Sequence, residues 1–128
     1  MTNTDASPTG RLAREVLGAI DALDADRLAP LLADDVHFRF GSAPPLTGKA
    51  DCLAASREFS ASIAAVRHEI THVWEPEPGT AVAVLDVHYR RHDGGELTLP
   101  CCNIFRLRDG LVTDYRIYMD INPVYAPT

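Results

Sequence analysis

The feature that most constrains this chain is a run of four apolar segments in its second half, each separated from the next by a glycine-containing turn. The turns are Pro78-Gly79, Asp93-Gly94-Gly95 and Asp109-Gly110. Short apolar segments joined by turns of this kind are typical of antiparallel hairpins in series. The pattern therefore predicts four consecutive strands, over residues 66–77, 80–92, 96–108 and 111–121.

The first half of the chain predicts three helices. Ser7-Pro8 offers a capping residue followed by proline at the first helical position, and apolar residues then recur at three- and four-residue steps. Asp24 predicts the start of a second, short helix, and Thr47 is the predicted cap of a third helix over about residues 48–62. Residues 36–40 alternate apolar and polar side chains, which is typical of a strand.

Helices of this length beside an antiparallel sheet predict an α+β domain. The 128 residues are enough for one domain with its own core, so we expect a single domain over residues 1–128, with 1–7 as a disordered tail.

Composition narrows the possible partners. The net charge of −6 and the single lysine, Lys49, are unlike the basic surface that nucleic acid requires. No apolar run approaches the length of a membrane span, and the polar start of the chain does not resemble a signal peptide. Three cysteines without regular spacing predict no disulfide framework, and a reduced, cytoplasmic protein is the simplest expectation.

Three stretches resemble the nuclear transport factor 2-like fold and its SnoaL-like superfamily. They are Leu31-Leu32-Ala33-Asp34-Asp35-Val36, Pro44-Pro45-Leu46-Thr47-Gly48, and the segment from Phe105 to Val112 that precedes Tyr115-Arg116-Ile117-Tyr118-Met119-Asp120. The resemblance covers nearly the whole chain from about Arg11. It implies a curved antiparallel sheet that forms a cone-shaped half-barrel, wrapped by the three N-terminal helices around an internal pocket.

Ketosteroid isomerase, limonene epoxide hydrolase and polyketide cyclases share that fold. Its epoxide hydrolases carry an Arg-x-Asp pair and a last-strand Asp, which the resemblance places on Val84, Asp86 and Ile117. Only Asp86 is retained, so the residues of this chain do not fit the epoxide hydrolase mechanism. The resemblance still implies that Asp86 faces the pocket. Ketosteroid isomerase uses a base, a tyrosine and a protonated acid, and not all three have a counterpart in this sequence.

Acid–base chemistry needs a carboxylate or an imidazole within hydrogen-bond reach of the substrate. Strand alternation groups His68 and His72 with apolar neighbours, and Asp86 with His88 two residues later on one face. We therefore expect these four residues to be the catalytic candidates. A structural role, in which Asp86 only satisfies a neighbouring polar group, is the alternative.

The same histidines are not expected to bind a metal ion, because residues four apart on a strand lie about 13 Å apart. The expected ligand-binding residues are aromatic, amide or thioether side chains assigned to the inner face, namely Phe38, Phe40, Trp74, Asn103, Tyr115 and Met119. For most of the aromatic residues a plain core role is the alternative.

Three functions remain open from the sequence. The first is a cofactor-free isomerase, cyclase or hydratase that acts on a hydrophobic, oxygen-bearing molecule such as a polyketide or terpenoid. The second is a ligand-binding protein without catalysis. The third is a dimerising scaffold, since proteins of this fold often form homodimers through the outer face of the sheet.

Overall fold

The computed structural model describes residues 7–127. The helices are α1 (Pro8–Asp21), α2 (Ala25–Leu28), which continues into a 3-10 turn (Ala29–Leu31), α3 (Lys49–Ser62) and α4 (Asn122–Tyr125). The strands are β1 (Leu32–Phe40), β2 (Leu46–Thr47), β3 (Ala65–Glu77), β4 (Thr80–Arg90), β5 (Glu96–Arg108) and β6 (Leu111–Tyr118). The tail predicted over residues 1–7 lies, except for Ser7, outside the described residues.

The six strands form one curved, mixed sheet in the order β2-β1-β6-β5-β4-β3. The four long strands of the second half pair antiparallel with their chain neighbours, as the turns predict. The expectation of an antiparallel sheet fails at one junction, because β1 pairs with β6 in parallel. The long stretch of chain between them allows this parallel pairing, which no hairpin could make.

The N-terminal caps are mostly those that the sequence predicts. The Ser7 hydroxyl accepts a hydrogen bond from the backbone N–H of Gly10 at 3.0 Å, and the Asp24 carboxylate accepts one from Arg27 at 3.1 Å. The prediction for α3 is wrong, since Gly48, at φ 101°, is its cap and Thr47 ends β2. A backbone in that left-handed region favours glycine.

One face of the sheet, here called the inner face, carries the core and packs against α1. In β4 the inner side chains are those of Ala81, Ala83, Leu85, Val87 and Tyr89, all buried. The other face, here called the outer face, carries the alternate residues of β4, including Val84 at 37% exposure. Because successive side chains of a strand point to opposite faces, Asp86 and His88 lie on the outer face with Val84.

A β-bulge divides β3 into two halves with opposite alternation. Ile70 pairs with Leu85, but His72 pairs with Val84, so Thr71 is one residue extra. His68 and Ile70 therefore lie on the inner face, while beyond the bulge Val73 takes the inner position. The prediction that His72 and Trp74 share a face with His68 is wrong for this reason.

No helix within residues 7–127 is both long enough and apolar enough to cross a lipid bilayer.

Candidate functional site

A cavity of about 180 Å³ lies between the inner face of the sheet and helices α1, α2 and α3. Strands β1, β3, β4, β5 and β6 all contribute to its wall. Its lining is mainly apolar, with a few polar side chains among the aromatic ones. The lining residues are Ile20, Leu28, Phe38, Phe40, Cys52, Ala55, Ser56, Phe59, His68, Tyr89, Cys101, Asn103, Tyr115, Ile117 and Met119.

His68 is the one imidazole of the cavity wall within the described residues, and a carboxylate holds it. Its Nδ1 lies 2.5 Å from Oδ1 of Asp21. The backbone N–H of His68 donates to both oxygens of the same carboxylate, at 3.0 and 3.2 Å. Since an ionised carboxylate can only accept, the ring donates its Nδ1 proton and keeps Nε2 available to take up or release another. This is the arrangement of an oriented general base.

Asp21 is the candidate site residue that sequence reasoning missed. It is the last residue of α1, and the last turn of that helix contains no basic residue. A negative charge there opposes the negative end of the helix dipole, so its position is unfavourable without a partner elsewhere in the fold. That local conflict is the signal that could have identified it.

Asn103 confirms its predicted inward position, at 1% exposure on β5. Its Oδ1 accepts a hydrogen bond from the Cys101 thiol at 3.2 Å, which fixes the orientation of the amide. Burial raises the pKa of Cys101 to about 12, with the neighbouring Cys102 adding to the effect, and burial raises the pKa of Cys52 to about 11. Both thiols of the cavity wall are therefore protonated at neutral pH and are poor nucleophiles.

Tyr115 has a hydroxyl without a hydrogen-bond partner among residues 7–127, although the residue is 1% exposed. Phe105 stacks on its ring at a centroid distance of 4.7 Å, and Phe38 meets the ring edge to face at 5.4 Å. Burial, reinforced by the nearby thiols, raises the pKa of the hydroxyl well above its ordinary value of 10.0. The hydroxyl is thus a neutral, fully buried donor of a residue that lines the cavity. An unpaired buried donor is costly, and an acceptor atom close to it would lower that cost.

Four other residues of the cavity wall lie close to one another, namely Phe40, Phe59, Tyr89 and Met119. The Tyr89 hydroxyl donates to the Met119 sulfur at 3.5 Å, and burial raises the pKa of Tyr89. Phe59 lies 6.2 Å from both Phe40 and Tyr89, measured between ring centroids. The positions predicted for Phe38, Phe40, Tyr115 and Met119 on the cavity wall agree with the structure.

Asp86 and His88 lie on the outer face, so the prediction that they point into the pocket is wrong. His88 Nε2 lies 2.7 Å from Glu69 Oε1, and His88 Nδ1 lies 2.8 Å from the Thr98 hydroxyl. The hydrogen bond from His88 lowers the pKa of Glu69. These contacts cross β3, β4 and β5 on the surface and do not reach the cavity.

His72 and Trp74 are also on the outer face, where their rings stack at 5.0 Å with an interplanar angle of 2°. The structure thus places His68, Asn103 and Tyr115 on one cavity wall with Phe38, Phe40 and Met119. It separates them from Trp74 and from the other three catalytic candidates. Within the described part of the chain, no group of three or more His, Cys, Asp or Glu side chains is placed to hold a metal ion.

Comparison with known proteins identifies the family. A SnoaL-like domain model matches residues 13–115. Among curated proteins, none matches this sequence significantly.

Many solved structures share the fold. A protein from Jannaschia sp. CCS1 that is assigned as a SnoaL-like polyketide cyclase superposes on this chain with a TM-score of 0.83. The two are 15% identical, and the superposition covers 94% of each chain. An LEH-like epoxide hydrolase of M. tuberculosis gives 0.78 at 16% identity, over 92% of this chain and 86% of the other. A Catenulispora acidiphila protein with a ketosteroid isomerase-like fold, in complex with trimethylamine, gives a TM-score of 0.79 at 16% identity, over 88% of each chain. At these identities the likeness is one of fold.

Proposed function

We propose that this chain, which belongs to the SnoaL-like domain family, is a cofactor-independent enzyme that moves a proton on a small, apolar, oxygen-bearing molecule bound in the cavity. The observation that carries the proposal is the 2.5 Å contact between His68 and Asp21 on the wall of a mostly apolar cavity. Isomerisation, cyclisation and hydration all require such a transfer.

In the proposed reaction, His68 Nε2 takes a proton from a carbon next to a carbonyl group of the substrate. The electron pair of that C–H bond moves towards the carbonyl oxygen, which becomes an enolate. Asp21 stabilises the protonated imidazole, and His68 returns the proton to a different atom. The neutral hydroxyl of Tyr115 donates to the oxygen on which charge develops, in a site where few polar groups compete.

The test measures proton exchange, which needs no knowledge of the natural substrate. Cyclic ketones are incubated with the protein in deuterated water, and deuterium uptake next to the carbonyl is followed by nuclear magnetic resonance. We expect His68→Gln to lower the exchange rate by about 100-fold or more, the usual contribution of a positioned base. Asp21→Asn, which retains an oxygen acceptor, should also lower it.

His88→Gln is the matched control, because it removes an imidazole that is also hydrogen-bonded to a carboxylate but lies on the outer face. It should leave exchange unchanged. If the ketones bind but exchange no faster than in buffer, catalysis is excluded for this class and the protein is a ligand-binding module.

The outer face supports a second element of the proposal, a homodimer. Val84 and Tyr118 are exposed there at 37% and 49%, and Val82 and Ile104 add half-buried apolar side chains in the neighbouring row of the same face. Exposed apolar residues on adjacent strands favour burial against a partner. A second copy of this chain can bury them by placing the same face against itself.

A further inference from the structure

The side-chain amide of Asn103 on the cavity wall has a donor nitrogen, Nδ2, with no hydrogen-bond partner within residues 7–127. The residue is 1% exposed, and its Oδ1 is held by the Cys101 thiol, so Nδ2 is the free end of the amide. Among the described residues, the Tyr115 hydroxyl is the one unpaired side-chain atom that is fully enclosed. Nδ2 is therefore unpaired but open to the cavity that the residue lines, and an acceptor there would stabilise it.

Asn103 lies in the same part of the wall as Tyr115. Asn103 pairs with Ile117 across β5 and β6, and Tyr115 comes two residues before Ile117 on the same face. The two are therefore diagonal neighbours, with Cα atoms about 7–8 Å apart. Burial raises the pKa of the Tyr115 hydroxyl most, and Cys101 and Asp21, the partners of the amide and of the imidazole, raise it further. The amide, the phenol and the imidazole thus border one space.

The cavity offers no partner for a charged group of a ligand. Its lining holds no Lys, Arg, Asp or Glu side chain, and burial raises the pKa values of its thiols and phenols, which stay neutral at pH 7. When His68 is protonated, Asp21 already offsets its charge. A charged ligand would lose its hydration here without gaining an ionic partner, so the cavity is suited to a neutral molecule.

The size of the cavity limits what it can hold. A closed apolar cavity of about 150 Å³ accommodates a benzene molecule. At about 180 Å³, this cavity therefore holds one six-membered ring with one or two substituent atoms. Phe40, Phe59 and Met119 line both this cavity and a more open space beside it, so they stand between the two. A second fused ring would have to displace these side chains.

We propose that the ligand is a neutral, single-ring ketone whose carbonyl oxygen accepts a hydrogen bond from Nδ2 of Asn103. The inference rests on the proposed proton-transfer function and names the residue that selects its substrate. A carbonyl oxygen only accepts, so it matches an amide N–H that only donates. The ring carbons pack against the aromatic wall, and the carbonyl group lies beside Tyr115, to which the proposed reaction assigns the developing charge. A ring without an acceptor leaves the amide unpaired.

Nuclear magnetic resonance can observe the Asn103 amide directly, because the chain has three asparagines and no glutamine. We expect cyclohexanone to shift the amide proton signals of Asn103 and to leave those of Asn122, which does not line the cavity, in place. Toluene has the same number of non-hydrogen atoms but no oxygen, and it should bind without the downfield shift that a hydrogen bond causes. A shift at Asn122 alone would place the ketone outside the cavity and overturn the proposal.

Asn103→Leu removes the donor and keeps a side chain of similar size. We expect it to weaken cyclohexanone binding by about threefold to tenfold, the usual range for one neutral hydrogen bond. Toluene binding should be unchanged or tighter, which also shows that the cavity is intact. If this variant does not fold, the amide shift in the unsubstituted protein decides the question.

Ser56→Ala is the matched control, since it removes another polar side chain of the lining and should preserve the affinity for cyclohexanone. Unchanged cyclohexanone binding in Asn103→Leu, or a loss of binding in Ser56→Ala alone, would reject Asn103 as the selecting residue.

Three further molecules test the charge and the size of the ligand. Cyclohexylammonium and cyclohexanecarboxylate keep the ring but carry a charge, and decalone has a second fused ring. We expect all three to bind more weakly than cyclohexanone. Tighter binding of either ion would overturn the neutral class, and tighter binding of decalone would overturn the single ring.

Binding and proton exchange are measured separately, so the two proposals fail in different ways. If cyclohexanone shifts the Asn103 amide but no exchange is catalysed, only the proposed catalysis is rejected. If exchange depends on His68 while Asn103→Leu binds cyclohexanone as before, only the present inference is rejected. Failure of cyclohexanone to bind rejects both.

Discussion

His68 and His88 each lie within hydrogen-bond distance of a carboxylate, at 2.5 and 2.7 Å, and what separates them is the face of the sheet on which they stand. His68 has its partner on α1, so its contact joins a helix to the sheet beside the cavity. His88 has its partner on the neighbouring strand, exposed to water. The same residue type thus supports a candidate base in one position and a weak surface pair in the other.

Also at the scale of single residues, the buried thiols predict a loss of stability at high pH. The pKa values of Cys52 and Cys101 rise from 9.0 to about 11 and about 12 on folding. A thiol whose pKa is higher in the folded state stabilises the fold fully at any pH below its pKa in the unfolded state. That stabilisation is lost as the pH rises through its pKa in the folded state. We therefore expect the free energy of unfolding in urea to fall between about pH 9 and about pH 12.

The double variant Cys52→Ala, Cys101→Ala should be less stable at neutral pH and should lose less stability on the way to high pH. Tyr89 and Tyr115, whose pKa values burial also raises, leave part of the decline in place. Cys102→Ala is the control, since Cys102 is less buried. An unchanged decline in the double variant would contradict the assignment to the two thiols.

At the scale of the element, one extra residue in β3 decides which side chains reach the cavity. Before the bulge, His68 and Ile70 point inward, and after it Val73 does. Thr71 donates its hydroxyl hydrogen to the carbonyl of Val84 at 2.8 Å, which bridges the irregular step between β3 and β4. Simple alternation across the bulge would place His72 in the cavity, and the bulge places it outside.

Deletion of Thr71 should be tolerated, because it restores a regular ladder in which Ile70 and Val73 keep their inner positions. We expect a cost of about 1–2 kcal/mol in the free energy of unfolding, from the lost hydrogen bond and the changed local bend. Chemical denaturation measures it. Deletion of Glu69 is the matched comparison. It should cost more, because Ile70 must then turn outward and Thr71 inward. If both deletions lowered the free energy of unfolding equally, the bend at the bulge would matter more than the face to which each side chain points.

At the scale of the whole molecule, the two faces of the sheet have separate roles. The inner face, with the helices packed on it, makes the core and the cavity, while the outer face exposes apolar and charged side chains together. This division predicts that changes on the outer face alter association without altering the cavity.

The homodimer gives the corresponding prediction. Val84→Arg should shift the protein from dimer to monomer in light scattering after size-exclusion chromatography, because it places two like charges in a symmetric contact. Leu111→Arg is matched in exposure, at 36% against 37%, but lies at the tip of the β5–β6 hairpin. It should leave the oligomeric state unchanged. A monomeric parent protein at high concentration would reject the proposed dimer.

The sequence by itself determined the first three helices and the long strands of this protein, but not β2 or α4. The hairpins were set by the turn residues Asp109-Gly110, both at positive φ, and Pro78-Gly79. A turn conformation depends on residues that are close in the chain, so the sequence alone predicts it. Alternation grouped the residues of each strand by face, and with the family resemblance it assigned five of them to the cavity wall that the structure places there, namely Phe38, Phe40, Asn103, Tyr115 and Met119. The motifs identified the family and with it the class of fold.

Tertiary structure alone decided the site. The contact between Asp21 and His68 joins residues that are distant in sequence, so no local pattern contains it. Which face of β4 became the inner one depended on where α1 packs. Both faces of β4 are partly apolar, so alternation could not decide between them, and the inward assignment of Asp86 and His88 was wrong. The bulge at Thr71 was likewise decided by pairing with β4, because an irregular step costs little in an isolated strand and is fixed only by its neighbour.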